Sequence, residues 1–299
     1  MIIPPYLQLG DTIGIVAPAR KISLEELQFS INWLKSKGFQ VVFAPNLFAE
    51  EHQFAGSDEI RQQSFQAMID NPNVKAILSA RGGYGSARII DKIDFSHFHE
   101  NPKWLCGYSD FTVFHSHLAS QNISASLHST MPISMNEETI DNCNALFDAL
   151  IGKKMELSGH NHPYNQYGTS AGKIVGGNLS ILYSMLGSPS DINTNGAILF
   201  LEDLDEYLYH IDRMIVALKR AGKFDHLAGL IIGGMSDMHD NTIPFGYSAE
   251  EIIMKHCQEY DFPIAFNIPV GHGKDNKTLK LGVSSKLIVS SKGWTLKEL

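Results

Sequence analysis

The stretch Val74-Lys75-Ala76-Ile77-Leu78-Ser79-Ala80-Arg81-Gly82-Gly83-Tyr84-Gly85 decides how the chain is read. Its first seven residues form a largely apolar run of strand length, as expected of a strand covered on both faces. A glycine-rich turn follows without a spacer. Working back from this strand, Ser57 to Asp70 reads as a helix closed by Asn71-Pro72, because a residue before proline is pushed out of the helical region. Val41 to Ala44 is a second strand. Before it, Ser23 and Glu26 have the spacing of a capping box, and Leu24, Leu27, Ile31 and Leu34 follow at helical intervals to a stop at Gly38. Thr12 to Ala17, stopped by Pro18, is the first strand. Working forward, Trp104 to Gly107 is a strand, Phe111 to Ala119 a helix, Ala125 to His128 a strand, and Glu137 to Leu150 a last helix. This alternation predicts an α/β domain over residues 1–152, a doubly wound, flavodoxin-like parallel sheet covered by helices.

Between 153 and 172 the composition changes to Lys, Ser, Gly, His, Asn, Pro and Tyr with little periodicity, which predicts a linker. Residues 173–299 then read as a second, mixed α/β domain. Its strand candidates are Lys173 to Val175, Ala197 to Leu201, Leu230 to Gly233, Ile264 to Asn267, Thr278 to Leu281 and Lys286 to Val289. Helices are expected at Leu179 to Leu186, Leu208 to Ala221 and Ala249 to Tyr260. Strands crowd toward the end of the chain, so a second regular doubly wound unit is not expected.

With 24 Lys+Arg against 32 Asp+Glu, the 299-residue chain has a formal net charge of −8. That balance excludes a general nucleic-acid binder, which needs a basic surface to neutralise phosphates. Cys106, Cys143 and Cys257 are too few and too irregularly spaced for a disulfide framework or a zinc ribbon. They read as reduced, buried thiols. The start Met1-Ile2-Ile3-Pro4-Pro5 has no basic region followed by an apolar run, and no stretch approaches the ~18 apolar residues of a membrane span. A cytoplasmic protein that does not engage membranes is the expectation.

In open α/β sheets ligands bind beyond the carboxyl ends of the strands, which singles out three places. In Gly107-Tyr108-Ser109-Asp110 a strand ends and a helix starts, so a serine there is thrust out of the sheet beside a helix N-terminus, as in a nucleophile elbow. Phe111 stands where the G-x-S-x-G pattern has its last glycine, and Ser109 or Asp110 also suits a helix N-cap. In Phe200-Leu201-Glu202-Asp203 an apolar strand runs into two carboxylates, one of which could orient an imidazole. Acidic residues entering a loop are more commonly solvated or capping, the reading given to Asp203, Asp205 and Glu206. In Pro269-Val270-Gly271-His272-Gly273 a histidine lies between glycines, suited to presentation in a cleft or to a purely structural place. A serine needs a base and a histidine needs an acceptor for its tautomer, so the three signals make one consistent set.

Taken with Arg81-Gly82-Gly83-Tyr84-Gly85 and Gly176-Gly177-Asn178-Leu179-Ser180, these motifs in this order resemble the LD-carboxypeptidases, also called muropeptide carboxypeptidases. The resemblance runs from Gly14 to Gly282. It implies a homodimeric serine peptidase that removes the terminal D-alanine from murein tetrapeptides in cytoplasmic cell-wall recycling. Its site would lie between an N-terminal nucleophile domain and a C-terminal domain carrying the acid and the histidine. By matching position, Ser109 would be the nucleophile, His272 the base and Glu202 its orienting acid. The amides of Gly83 and Asp110 would form the oxyanion hole, and Arg81, Tyr84 and Asn178 would contact substrate. Arg81 has a planar fork suited to a carboxylate, and equally to a structural ion pair. Ser129-Thr130 departs from the Gly-Pro of relatives.

No cofactor or metal is expected. Gly83-x-Gly85 continues to Arg88, without the third glycine of a dinucleotide fingerprint, and it follows the third strand. His97/His99, His115/His117 and His160/His162 lack metal-site spacing, and no H-E-x-x-H occurs. Two other readings stay open: an immunity-type hydrolase of peptide-nucleotide antibiotics using the same residues, and a non-catalytic peptide-binding module.

Overall fold

A computed structural model describes residues 1–299. The first half lays down β1 (Thr12–Val16), α1 (Gln28–Ser36), β2 (Gln40–Phe43), α2 (Asp58–Asp70), β3 (Val74–Ser79), β4 (Trp104–Gly107), α3 (Thr112–Ser120), β5 (Ser126–His128) and α4 (Ile140–Leu150). The second half adds β6 (Glu156–Gly159), β7 (Gly168–Asn178), α5 (Leu179–Met185), β8 (Ile198–Leu204), α6 (Leu208–Arg220) and β9 (Gly229–Ser236). It closes with α7 (Ala249–Cys257), β10 (Ile264–Ala265), β11 (Leu279–Leu281), β12 (Ser284–Ser290) and β13 (Gly293–Glu298). No helix is long and apolar enough to cross a membrane.

The first sheet has the order β11-β5-β4-β3-β1-β2. Its five N-terminal strands are parallel in the doubly wound order 2-1-3-4-5, which sets a topological switch between β1 and β3. The apolar runs explain this centre: Ile13, Ile15, Ile77, Leu78 and Leu105 are buried, with helices on both faces. The sixth strand corrects the sequence reading. Residues 279–281, expected in the mixed sheet of the second half, pair antiparallel with β5 instead. Buried Leu279 and Leu281 pack in the core of the second half while their backbone adds a strand to the first sheet, so that β5 is not left at its edge.

The second sheet is mixed, in the order β10-β9-β8-β7-β12-β13-β6. β10, β9, β8 and β7 are parallel; β12, β13 and β6 run antiparallel. The irregular linker expected over 153–172 is corrected here, since it holds β6 and the first part of β7. Gly168 to Lys173 pair with β12, and Ile174 to Asn178 with β8. Only the second part is apolar and fully buried, which is why hydropathy revealed the strand no earlier than residue 173. β13, also unforeseen, alternates inward Trp294 and Leu296 with outward Thr295 and Lys297.

Several helices start or end inside their expected limits for local reasons. The Ser23–Glu26 capping box forms in both directions, at 2.8 and 3.2 Å. The next turn closes by i→i−3 bonds, Leu27 N–H to Leu24 and Gln28 N–H to Glu25, so α1 begins only at Gln28. Asn136 accepts from the amides of Glu138 and Thr139, a side-chain turn that delays α4 to Ile140. At the end of α2, buried Lys103 donates to the carbonyls of Ile69 and Asn71, both at 2.7 Å. Those are groups a helix end leaves without partners.

Candidate active site

The carboxyl ends of β1, β3 and β4 converge on one cavity of about 180 Å³, with Arg20, Arg81, Gly83, Ser109, Met131 and His272 among its lining residues. Ser109 sits where β4 ends and a single 3-10 turn, Ser109–Phe111, leads into α3. Its φ is +62°, a left-handed conformation costly for a side chain other than glycine and found where surrounding structure holds it in place. Gly82 explains how the turn after β3 comes so near: a Cβ there would lie 2.9 Å from Ser109 Cβ and Oγ. The glycine is needed for close approach.

Glu202 lies inside β8 and is fully buried, because β8 continues through it to Leu204. Its Oε2 is 2.7 Å from His272 Nδ1. Burial raises the pKa of Glu202, but the two imidazoles facing it, His128 and His272, outweigh that and hold it at about 2. An ionised carboxylate only accepts, so Nδ1 of His272 carries the proton and Nε2 is the nitrogen left for the cavity. Gly271 makes the contact possible: at φ +118°, a Cβ there would meet Glu202 Oε2 at 2.7 Å. His272 and Ser109 line the same cavity without a hydrogen bond between them.

The amide of Gly83 has no partner among the loop hydrogen bonds, and Asp110 lies within the turn leading into α3, where amides also lack intrahelical partners. The Asp110 side chain points elsewhere: Oδ2 accepts from the Ser86 amide at 2.9 Å, joining the elbow to the glycine-rich turn. Buried Arg61 completes this frame, donating to the carbonyls of Pro18 at 2.6 Å and Gly85 at 3.0 Å. Loops after β1, β3 and β4 are thus tied to one another beneath the cavity.

The expected substrate contacts fare differently. Tyr84 is half exposed, packs against Phe54, and is not among the residues that line the cavity. Arg81 lines the cavity, yet its Nη1 donates to the Lys21 carbonyl at 3.2 Å and lies 3.6 Å from Glu26. Asn178 is corrected: it is buried as the N-cap of α5, accepting from Ile181 N–H and donating to Asp203 Oδ1 at 2.8 Å. It is not among the residues that line the cavity. Asp203 is corrected with it, being buried rather than solvated, with its pKa raised by burial and by Glu202 to about 7.

Sequence reasoning missed Arg20, His128 and the part of Tyr108. Arg20 had one available signal, its place just beyond the carboxyl end of β1. The Tyr108 ring lies 4.8 Å from that of His272. His128 Nε2 is 4.0 Å from Glu202 Oε1, and neither atom has a hydrogen-bond partner. Thr130, of the departing Ser129-Thr130 pair, lines a second polar cavity of about 380 Å³ that shares Tyr108 and Ser134 with the first and holds Glu138 and Lys274. The histidine pair on α3 splits: His115 bonds Ser126 and the Gly107 carbonyl, His117 bonds Ser190. No group of three or more His, Cys, Asp or Glu side chains is arranged to hold a metal ion.

Comparison with known proteins adds to this geometry. Residues 13–129 match the LD-carboxypeptidase N-terminal domain, and residues 171–287 the LD-carboxypeptidase C-terminal domain. A probable murein peptide carboxypeptidase of Bacillus subtilis (strain 168) is 31% identical over 300 residues, covering 97% of this chain and 92% of that protein. The crystal structure of muramoyltetrapeptide carboxypeptidase from Oxalobacter formigenes superposes with a TM-score of 0.88 at 27% identity, over 96% of this chain and 98% of that one. MccF in complex with glutamyl sulfamoyl guanosine gives 0.87 at 21% identity, over 100% and 99%, a likeness of fold.

Proposed function

The chain belongs to the LD-carboxypeptidase family, and on that premise we propose that it is a serine carboxypeptidase releasing the terminal D-alanine of murein tetrapeptides. The observation that carries this reading is the 2.7 Å contact of His272 Nδ1 with Glu202, made by a histidine that shares its cavity with a serine held at φ +62°. A base already oriented by a buried carboxylate, sharing a cavity with a half-buried strand-end hydroxyl, is what acyl transfer requires.

In this mechanism Ser109 Oγ attacks the carbonyl carbon of the L,D-peptide bond while His272 Nε2 takes its proton. Glu202 keeps Nδ1 protonated and stabilises the imidazolium. The oxyanion accepts from the amides of Gly83 and Asp110, each such donor being worth about 10²- to 10³-fold in rate. His272 then protonates the departing amine, D-alanine leaves, and water delivered with His272 as base hydrolyses the acyl-enzyme. Every step uses groups of the chain itself, with no metal or cofactor. As the family resemblance implies, we place the reaction in cytoplasmic recycling of cell-wall peptides, carried out by a homodimer.

The test is D-alanine release from a free murein tetrapeptide by the wild type and by Ser109→Ala side by side. Release by the wild type alone is expected, with the variant slower by several orders of magnitude and equally folded. Release by neither, or equal release by both, overturns the reading; the first outcome turns attention to peptide-nucleotide conjugates as substrates.

A further inference from the structure

A carboxypeptidase differs from an endopeptidase in requiring a free carboxylate one residue beyond the scissile bond. In a chain with a net charge of −8, that anion needs a local cation. Two arginines line the cavity with Ser109 and His272, namely Arg20 and Arg81. They are not equivalent. Arg81 is tied through its Nη1 by the Lys21 carbonyl and by Glu26, so its charge is already partnered and part of its fork is in use. The Arg20 guanidinium takes part in none of the ion pairs or side-chain hydrogen bonds of the molecule, such as those that hold Arg61 and Arg88. Its side chain lies directly across Gly83: a Cβ on that glycine would fall 2.2 Å from Arg20 Cδ and 2.4 Å from Cγ. The aliphatic stem thus crosses the glycine-rich turn that, at Gly82, comes against Ser109.

Resting on the functional reading above, we infer that Arg20 is the residue that recognises the substrate's terminal carboxylate. Arg81 takes a different part, fixing the loop that follows Arg20 through the Lys21 carbonyl. Gly83 is bare of a side chain for the same reason, since any side chain there would displace the arginine stem. The frame beneath supports this placement: Arg61 holds the Pro18 carbonyl two residues before Arg20 and the Gly85 carbonyl two residues after Gly83. A guanidinium can engage a carboxylate through two parallel hydrogen bonds, a geometry an ammonium cannot reproduce.

The experiment compares one tetrapeptide as its C-terminal acid and as its C-terminal amide, in the wild type, Arg20→Met, Arg20→Lys and Arg81→Met. The expected wild type favours the acid in kcat/KM by at least about 10²-fold, as loss of a charge-assisted, two-bond contact implies. Arg20→Met should slow the acid by about that factor and leave the amide rate unchanged, so that the preference collapses. Arg20→Lys should restore part of it, and Arg81→Met should keep the preference even where its overall rate is lower. A full acid preference in Arg20→Met overturns the inference, as does a preference lost in Arg81→Met alone. A wild type that releases nothing from either peptide overturns the functional reading and this assignment with it, so the two failures are distinguishable.

Discussion

Replacing Glu202 with glutamine tests charge and geometry separately. The side chain is fully buried, keeps its volume, and can still offer an amide oxygen to His272 Nδ1 across the present 2.7 Å contact. What it loses is the negative charge. The charge affects rate: the imidazolium formed during attack would lose a partner at about 4 Å between charge centres. That is worth about 4 kcal/mol at an effective dielectric near 20, or about 10³-fold in kcat. It also affects stability, because the carboxyl is held at about 2 against an ordinary 4.5. A difference of about 2.5 units corresponds to roughly 3 kcal/mol. The sign follows from a folded-state value below the unfolded one: the stabilisation is complete above about pH 4.5 and is lost as pH falls through about 2. Glu202→Gln should therefore be less stable than wild type by roughly 3 kcal/mol at pH 7 and pH 5, with the gap narrowing at pH 4 and pH 3. Urea unfolding at these four pH values measures the gap, and D-alanine release at pH 7 measures the rate. A rate loss under tenfold, or a stability gap that does not narrow on acidification, would refute the argument that an ionised Glu202 holds His272.

Two further outcomes follow from backbone and burial. Ser109→Gly should be inactive yet more stable than Ser109→Ala by about 1 kcal/mol, because glycine adopts the +62° conformation without the cost borne by any side chain; equal thermal midpoints for the two variants would mean that the turn stores no strain. All three cysteines are buried, with the Cys106 thiol pushed far up by burial and Cys257 pushed up to about 12, so a thiol reagent at pH 8 should label the native protein slowly and the urea-unfolded protein completely within minutes. Rapid native labelling would contradict that burial.

The sequence exposed the parallel core because β1, β3 and β4 are apolar on both faces and no other element explains such runs. It concealed elements whose pairing comes from tertiary context. The first part of β7, Gly168 to Lys173, has no apolar periodicity and is a strand only because β12 pairs with it. Likewise nothing in Leu279-Lys280-Leu281 says which sheet it joins, since either core could take both leucines. At the site, Ser109, Glu202 and His272 were legible as three strand-end signals that need one another chemically. Arg20 and Arg81 were indistinguishable by position, as each follows a strand of the same sheet. Their difference rests on the Lys21 carbonyl and Glu26, which meet Arg81 only in the folded loop. Asn178 was misread in the opposite direction: an Asn at a strand-to-helix junction, followed by Leu179-Ser180-Ile181, already carries the N-cap pattern that the structure realises.

The backbone around Ser109 and His272 leaves little room for movement of one half against the other. The loop carrying His272 is pinned to the first half on its far side: Asn142, in α4, donates to the Lys274 carbonyl at 3.0 Å and accepts from the Asn276 amide at 3.0 Å. Asn276 in turn accepts from the Gly271 amide at 3.1 Å, immediately before His272. Downstream, β11 is built into the first sheet beside β5. On the other flank of the interface, Thr112 of α3 accepts from the Asn178 amide at 3.1 Å and Ser116 donates to the Ser190 carbonyl at 2.6 Å. A hinge opening would break all of these together, several of them buried, where an unpaired polar group costs about 1–3 kcal/mol. Rotation of the Ser109 hydroxyl and a small swing of the His272 ring against Tyr108 break none of them. In the mechanism proposed above, nucleophile and base would therefore meet by side-chain rotation, on a backbone tied together across the two halves.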